Sequence, residues 1–217
     1  MSRLRVHNFS ISLDGFGAGE PQSAELPMGH AGERLHQWMF ATSFWDRDGG
    51  ERGVDDAFAT QHGLGIGAEI MGAGKFGPPG WQDDPDWTGW WGPEPPFHTP
   101  TYVLTHRPRE PLEMAGGTTF HFLSTSPERA LAIAREAAGG LDVRLGGGAR
   151  TIRDFVAAGL VDHLHVVQVP IVLGRGTRLW DGLDGLEDDF DVEAVSSPSG
   201  VTHLTFTRRA AAADLPG

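Results

Sequence analysis

Residues 141–173 read LDVRLGGGARTIRDFVAAGLVDHLHVVQVPIVL. The run LDVRL (141–145) is a short apolar strand that stops at Gly146, Gly147 and Gly148. A helix is expected at once over 149–160, because Ile152, Phe155, Val156 and Leu160 recur at the spacing that lines one helical face. HLHVVQVPIVL (163–173) then reads as a long, almost continuously apolar strand. A strand apolar on both faces is covered on both sides, as in a parallel sheet flanked by helices.

The same alternation continues on either side. LRVHNFSISL (4–13) alternates as a strand with one slip near Asn8, and Asp14-Gly15 ends it in a turn. Helices are expected over 33–42, with Leu35, Trp38 and Met39 on one face, and over 52–62. GIGAEIMG (65–72), TYVLT (101–105) and TTFHFL (118–123) read as strands. Ser126-Pro127-Glu128 opens a helix with a capping hydroxyl, a proline at the first helical position and an acid in the first turn; Gly139-Gly140 stops it. VTHLTFTRR (201–209) is the last strand, able to pair antiparallel at one edge. The expected class is α/β, with a mainly parallel central sheet and an antiparallel edge. A length of 217 residues suits one domain over 1–217. The tail AAADLPG (211–217) is expected to fray.

Residues 77–100 interrupt the pattern. They hold four of the seven tryptophans (Trp81, Trp87, Trp90, Trp91) and seven prolines. Prolines at that density exclude a helix or a central strand, and the indoles exclude a disordered linker. The segment reads as an insertion packed on the surface by its indoles, or as a lid or wall of a binding cleft.

Composition removes whole classes of function. A net charge of −12 argues against a nucleic-acid binder. The absence of cysteine excludes disulfides, thiolate nucleophiles and cysteine-held metals. No stretch is long and apolar enough for a membrane span or a signal peptide, so a soluble, cytoplasmic protein is expected.

Four features carry possible chemistry. The strand–Gly146-Gly147-Gly148–helix junction offers backbone amides and a helix amino end to a phosphate, although a tight turn with no ligand explains it too. Met71-Gly72-Ala73-Gly74-Lys75-Phe76 places small residues and one cation after a strand. Thr105-His106-Arg107-Pro108-Arg109 forms a basic spot suited to a phosphate monoester, or a solvated turn. Asp14 follows the first strand, where orienting residues of α/β folds lie, but Asp-Gly is also an ordinary turn. His163 and His165 share a strand face with no third ligand in view, so a structural role is expected and no metal. The acid run from Asp181 to Glu193 reads as a solvated loop.

The motif order, SLDGF (12–16), MGAGKFG (71–77), PTYVLTHRPRE (100–110) and VRLGGGARTIRDFVAAGLVDHLHVVQVPIVLGRGTRLWDGL (143–183), resembles the dihydrofolate-reductase-like superfamily. Within it, the chain is most similar to the C-terminal reductase domain of the bifunctional riboflavin-biosynthesis deaminase/reductase. The resemblance implies a three-layer fold and an NADPH-dependent reductase of a small heterocycle. Gly146, Gly147, Gly148 and Ala149 would cradle the pyrophosphate, with Gly72, Gly74, Lys75 and Phe76 opposite. Thr105, His106 and Arg107 would hold the adenosine 2′-phosphate. Gly15 would lie near the nicotinamide, and Asp14 would orient substrate or relay a proton. It also implies a homodimer. Two departures stand out: Ala73 occupies the family's usual arginine position, and helix 33–42 has its only acid at Glu33, which disfavours folate as substrate. The cysteine-free chain has no deaminase zinc signature. A non-catalytic dinucleotide sensor and a flavin-using oxidoreductase are the alternatives.

Overall fold

The computed structural model describes residues 2–210; the tail expected to fray lies outside them. Eleven strands occur among these residues: β1 Leu4–Ser12, β2 Phe16–Ala18, β3 Ile66–Gly72, β4 Pro100–Leu104, β5 Leu112–Glu113, β6 Thr119–Leu123, β7 Asp142–Leu145, β8 His163–Val169, β9 Thr177–Arg178, β10 Phe190–Ser196 and β11 Thr202–Arg208. Nine form one sheet in the order β10-β11-β8-β1-β7-β3-β4-β6-β5. The centre from β8 to β6 is parallel, and both edges are antiparallel, β11 on β8 and β5 on β6. β2 and β9 make a separate two-stranded ribbon.

The five α-helices among the described residues are α1 Gln37–Phe40, α2 Val54–Ala59, α3 Ala73–Phe76, α4 Pro127–Ala137 and α5 Ala149–Ala157. None is long and apolar enough to cross a membrane. α4 begins as its sequence requires: the Ser126 hydroxyl accepts from the Arg129 N–H, with Pro127 at the first position. α4 and α5 bury Leu131, Ala134, Ile152 and Phe155 against Leu4, Val6, Ile70, Val143 and Leu164 of the sheet. The opposite sheet face is shared by two clusters. One joins Leu35 and Trp38 to Val167 and Val169. The other is an aromatic group around Phe76, Trp81, Phe120 and Phe122.

Several expectations are corrected. The helix expected over 33–42 is a 3-10 turn at Gly32–Leu35 followed by the single turn of α1. Buried Leu35 and Trp38 hold it, together with the bond from Trp38 Nε1 to Ser10 Oγ at 2.9 Å. Packing stabilises so short a helix where propensity alone does not. The expected helix over 52–62 is likewise α2 plus a 3-10 turn, and β8 ends at Val169 because Pro170 has no N–H to donate. The acid run is a loop only as far as Asp189; Asp191 and Glu193 lie on β10. Only Phe190 of that strand is buried, so it lacks the alternation that marks a half-buried strand.

Residues 77–100 pack firmly on the sheet. Trp81 Nε1 donates to the Ala73 carbonyl and Trp87 Nε1 to the Phe76 carbonyl, both at 3.1 Å. Arg109 donates to the Trp87 carbonyl at 2.6 Å and lies 4.6 Å over the Phe122 ring.

Candidate active site

The carboxyl ends of β3, β4, β6 and β7 open into a cleft of about 1790 Å³. A single small-molecule pocket is typically about 300–1,000 Å³, so the space suits two ligands or one long one. One wall is the amino end of α5. Gly148, Ala149, Arg150 and Thr151 line it, and no side chain caps the helix. The first-turn amides have no intrahelical partner, so they face the cleft as donors at the positive end of the helix. An ideal Cβ at Gly148 or Gly74 would meet nothing within 4 Å, so both backbones are open to a ligand.

Other glycines there also allow close packing of the protein's own atoms. A Cβ on Gly72 would collide with Thr151 Oγ1, so this glycine lets α5 approach β3. A Cβ on Gly146 would stand 2.6 Å from Lys75 Nζ. Gly147 has φ +109 and lies against the Phe9 ring, away from the cleft lining.

Lys75 lines the cleft, and its ammonium donates to the Gly146 carbonyl at 2.7 Å. Burial, and next the Arg144 charge, push its pKa down to about 8, although Glu69 opposes this. Glu69 on β3 and Arg144 on β7 are directly paired in register and joined by an ion pair of 2.6 Å. Both are buried, and Glu69 Oε2 and Arg144 Nε lack partners. Sequence reading missed this pair; the visible signal was one charge inside each of two short apolar strands.

Thr105, His106 and Arg107 line the cleft at the end of β4. The Thr105 hydroxyl accepts from the Arg107 N–H at 3.1 Å, which shapes the turn. Arg107 is ion-paired with exposed Asp83 at 2.7 Å, so an incoming phosphate would compete with that carboxylate. Phe76 does not belong with these residues. It is fully buried in the aromatic cluster and anchors α3.

Asp14 and Gly15 also fall outside the main cleft. They border a small neighbouring depression with Leu13, Gln168 and Trp180. Asp14 accepts from Ser12 Oγ at 2.6 Å, from the Leu173 N–H at 3.1 Å and from the Gly174 N–H at 2.7 Å. Desolvation works against its charge, but these donors outweigh it and lower its pKa to about 2. These bonds tie the β1 turn to the loop after β8. Asp14→Ala is expected to lower Tm by several degrees, while dinucleotide affinity in titration calorimetry changes by less than about twofold. A large loss of affinity at unchanged Tm would contradict the clamp.

The remainder of the cleft comes from residues with no sequence motif. The slip near Asn8 is a bulge: Asn8 has φ 56, and the β1–β8 register shifts between Val6 and Phe9. It presents His7, Asn8, Phe9 and Ser10 to the cleft. Opposite stand His36, Phe44, Trp45 and His62, with Trp81, Trp90, Trp91 and Phe97 from the 77–100 segment. That segment is both packed and a cleft wall.

His165 belongs to a buried chain of bonds. Its Nδ1 accepts from the Asn8 N–H at 3.1 Å, so its Nε2 donates to His203 Nδ1 at 3.0 Å. His203 Nε2 in turn donates to Asp55 Oδ1 at 2.8 Å. Each neutral ring has one donor and one acceptor, so the first bond sets both tautomers. Among the described residues no group of three or more His, Asp or Glu is placed to hold a metal.

The mainly parallel sheet with antiparallel edges and a cleft across its strand ends is a dihydrofolate-reductase-like fold. More narrowly, the chain belongs to the RibD C-terminal domain family, whose profile matches residues 6–202. Solved structures share the fold. A protein from Shewanella sp. PV-4, named for riboflavin biosynthesis, is 19% identical with a TM-score of 0.62, over 97% of this chain and 100% of that one. A diaminohydroxyphosphoribosylaminopyrimidine deaminase/5-amino-6-(5-phosphoribosylamino)uracil reductase from Thermotoga maritima is 11% identical with a TM-score of 0.53. That match covers 96% of this chain and 57% of the other. A dihydrofolate reductase from Enterococcus faecalis, complexed with NADP(H), is 14% identical with a TM-score of 0.50, over 96% and 97%. No curated protein matches the sequence.

Proposed function

We propose that this chain is an oxidoreductase that binds NADPH in the cleft and reduces a small heterocyclic substrate there. The observation that carries this reading is the uncapped amino end of α5, with its amides and the open backbone of Gly148 facing the space beside Gly74. That cradle fits a pyrophosphate. The family and the NADP(H) bound to the Enterococcus enzyme support the same cofactor.

In this reading Gly148, Ala149 and the first turn of α5 hold the pyrophosphate from one side, and the Gly72–Gly74 backbone from the other. Thr105, His106 and Arg107 receive the 2′-phosphate, with Arg107 exchanging Asp83 for it. Ala73 supplies no charge, so the 2′-phosphate relies on Arg107. The bound cofactor supplies a hydride; the protein supplies orientation and a cleft walled against water by Trp81, Trp90, Trp91 and Phe97. Gly15 and Asp14 act at a distance, by holding the turn after β1. The reading carries with it a cytoplasmic homodimer, as the family resemblance suggests.

Calorimetric titration with NADPH and NADH tests it. NADPH is expected to bind at least about tenfold more tightly, as one charge-assisted phosphate contact of about 1.5–3 kcal/mol implies. Arg107→Ala is expected to narrow that gap. Equal affinities would remove the 2′-phosphate assignment, and a protein that takes up neither dinucleotide would end the reading. Binding without turnover of any heterocycle would favour a sensor, and a yellow flavin-bearing preparation would favour the flavin alternative.

A further inference from the structure

Of the 17 basic side chains, 16 are arginine and one is lysine. The one lysine, Lys75, sits in the wall of the cleft. Arginine serves elsewhere as the permanent cation; a lysine differs in being able to lose its proton and become a nucleophile. The surroundings favour that difference. Lys75 Nζ has a carbonyl, Gly146 O, as its hydrogen-bond partner, which leaves two further N–H directions on a protonated amine. Glu69, the carboxylate whose charge acts on it, is already ion-paired with Arg144. The Arg144 guanidinium and the neutral rings of His36 and His62 face the same space and add no compensating negative charge. Gly146 carries no Cβ where one would press on the amine, so the chain leaves this position clear.

We propose that Lys75 is a carbonyl-engaging amine, and that the ligand taken at this point of the cleft presents an aldehyde or ketone to it. Protonated, Nζ hydrogen-bonds the carbonyl oxygen. Neutral, its lone pair adds to the carbonyl carbon, the C=O π bond breaks and the nitrogen's proton passes to the oxygen. Water then leaves and a C=N bond remains; nothing is oxidised or reduced. The lowered pKa of the amine makes the neutral form accessible near neutrality. The inference rests on the proposed function only in sharing its cleft.

The chain's composition makes the test clean, since the only other amine is the N-terminus. The folded protein is incubated with pyridoxal 5′-phosphate near pH 7.5, reduced with borohydride, digested and mapped by mass spectrometry. Lys75 is expected to carry several-fold more label than the α-amine. The chain unfolded in guanidinium is expected to reverse that order, because an ordinary lysine titrates near about 10.4 and an α-amine near about 7.7–8.0. Gly146→Ala, which displaces the amine, is expected to cut Lys75 labelling several-fold, and Lys75→Met to remove it. Label confined to the N-terminus of the folded wild-type protein would overturn the proposal. NADPH titration of the same preparation separates the two readings. Binding with Lys75 unlabelled defeats only this one, and labelling without NADPH binding defeats only the other.

Discussion

Acidification is expected to begin destabilising this protein above the pH at which carboxylates titrate. Burial, more than any other cause, lowers the pKa of His7 to about 2, of His165 to about 3, and of His36, His62 and His163 to about 4. Neighbouring charges add to it at His7, where His163 and Arg5 are close, and at His62, where Arg144 is. An unfolded histidine titrates near about 6.5, so between that value and the folded one the unfolded chain binds more protons. The stabilisation is therefore complete above about pH 6.5 and is lost as pH falls below it. At pH 5 a ring held neutral by burial has forfeited up to about 2 kcal/mol, and rings that line the open cleft less. Typical total stability is about 5–15 kcal/mol, so stability is expected to fall measurably between about pH 6.5 and 5. Thermal melts followed by circular dichroism across that range check it. A stability unchanged between about pH 6.5 and 5 would show that these rings are not buried as neutral species. Asp14, Asp55 and Asp142, whose pKa values are lowered, act later: their stabilisation goes only below about pH 4.

Phe76→Ala is expected to cost about 3–5 kcal/mol of stability, the usual range for emptying a large aromatic site. The ring is fully buried and meets Trp81, Phe120 and Phe122 edge-on at centroid distances of 4.7, 5.0 and 5.2 Å. The indoles of Trp81 and Trp87 bond to backbone carbonyls of the same turn, so a collapse at Phe76 would loosen the 77–100 segment as well. Urea titration followed by tryptophan fluorescence measures both effects. A loss below about 1 kcal/mol, or a selective loss of NADPH affinity at full stability, would return Phe76 to the binding residues.

Much of the fold was legible because its strongest signals are local. Ser126-Pro127-Glu128 opens α4, and the spacing of Ile152, Phe155 and Val156 defines α5. β10 was illegible for the opposite reason: with six of its seven residues exposed, pairing to β11 holds it, not a buried face. In the candidate site, Gly72, Gly74, Lys75, Thr105, His106, Arg107, Gly146, Gly148 and Ala149 line the cleft, because each ends or follows a strand at the end where the cleft opens. Asp14 and Phe76 obeyed the same positional rule and nonetheless went elsewhere, one to loop amides and one to a ring cluster.

By itself the sequence determined the strand–helix alternation, the parallel centre of the sheet and the glycine junction before α5. Those follow from periodicity and backbone freedom, which act within a few residues. Only the tertiary structure decided which residues face the cleft. Glu69 lies 75 positions from Arg144, and Lys75 lies 71 from Gly146, so nothing local links them. Parallel pairing of β3 with β7 sets the ion pair in register, and the missing Cβ of Gly146 admits the ammonium. Side chains so distant in the chain meet only once the sheet has formed.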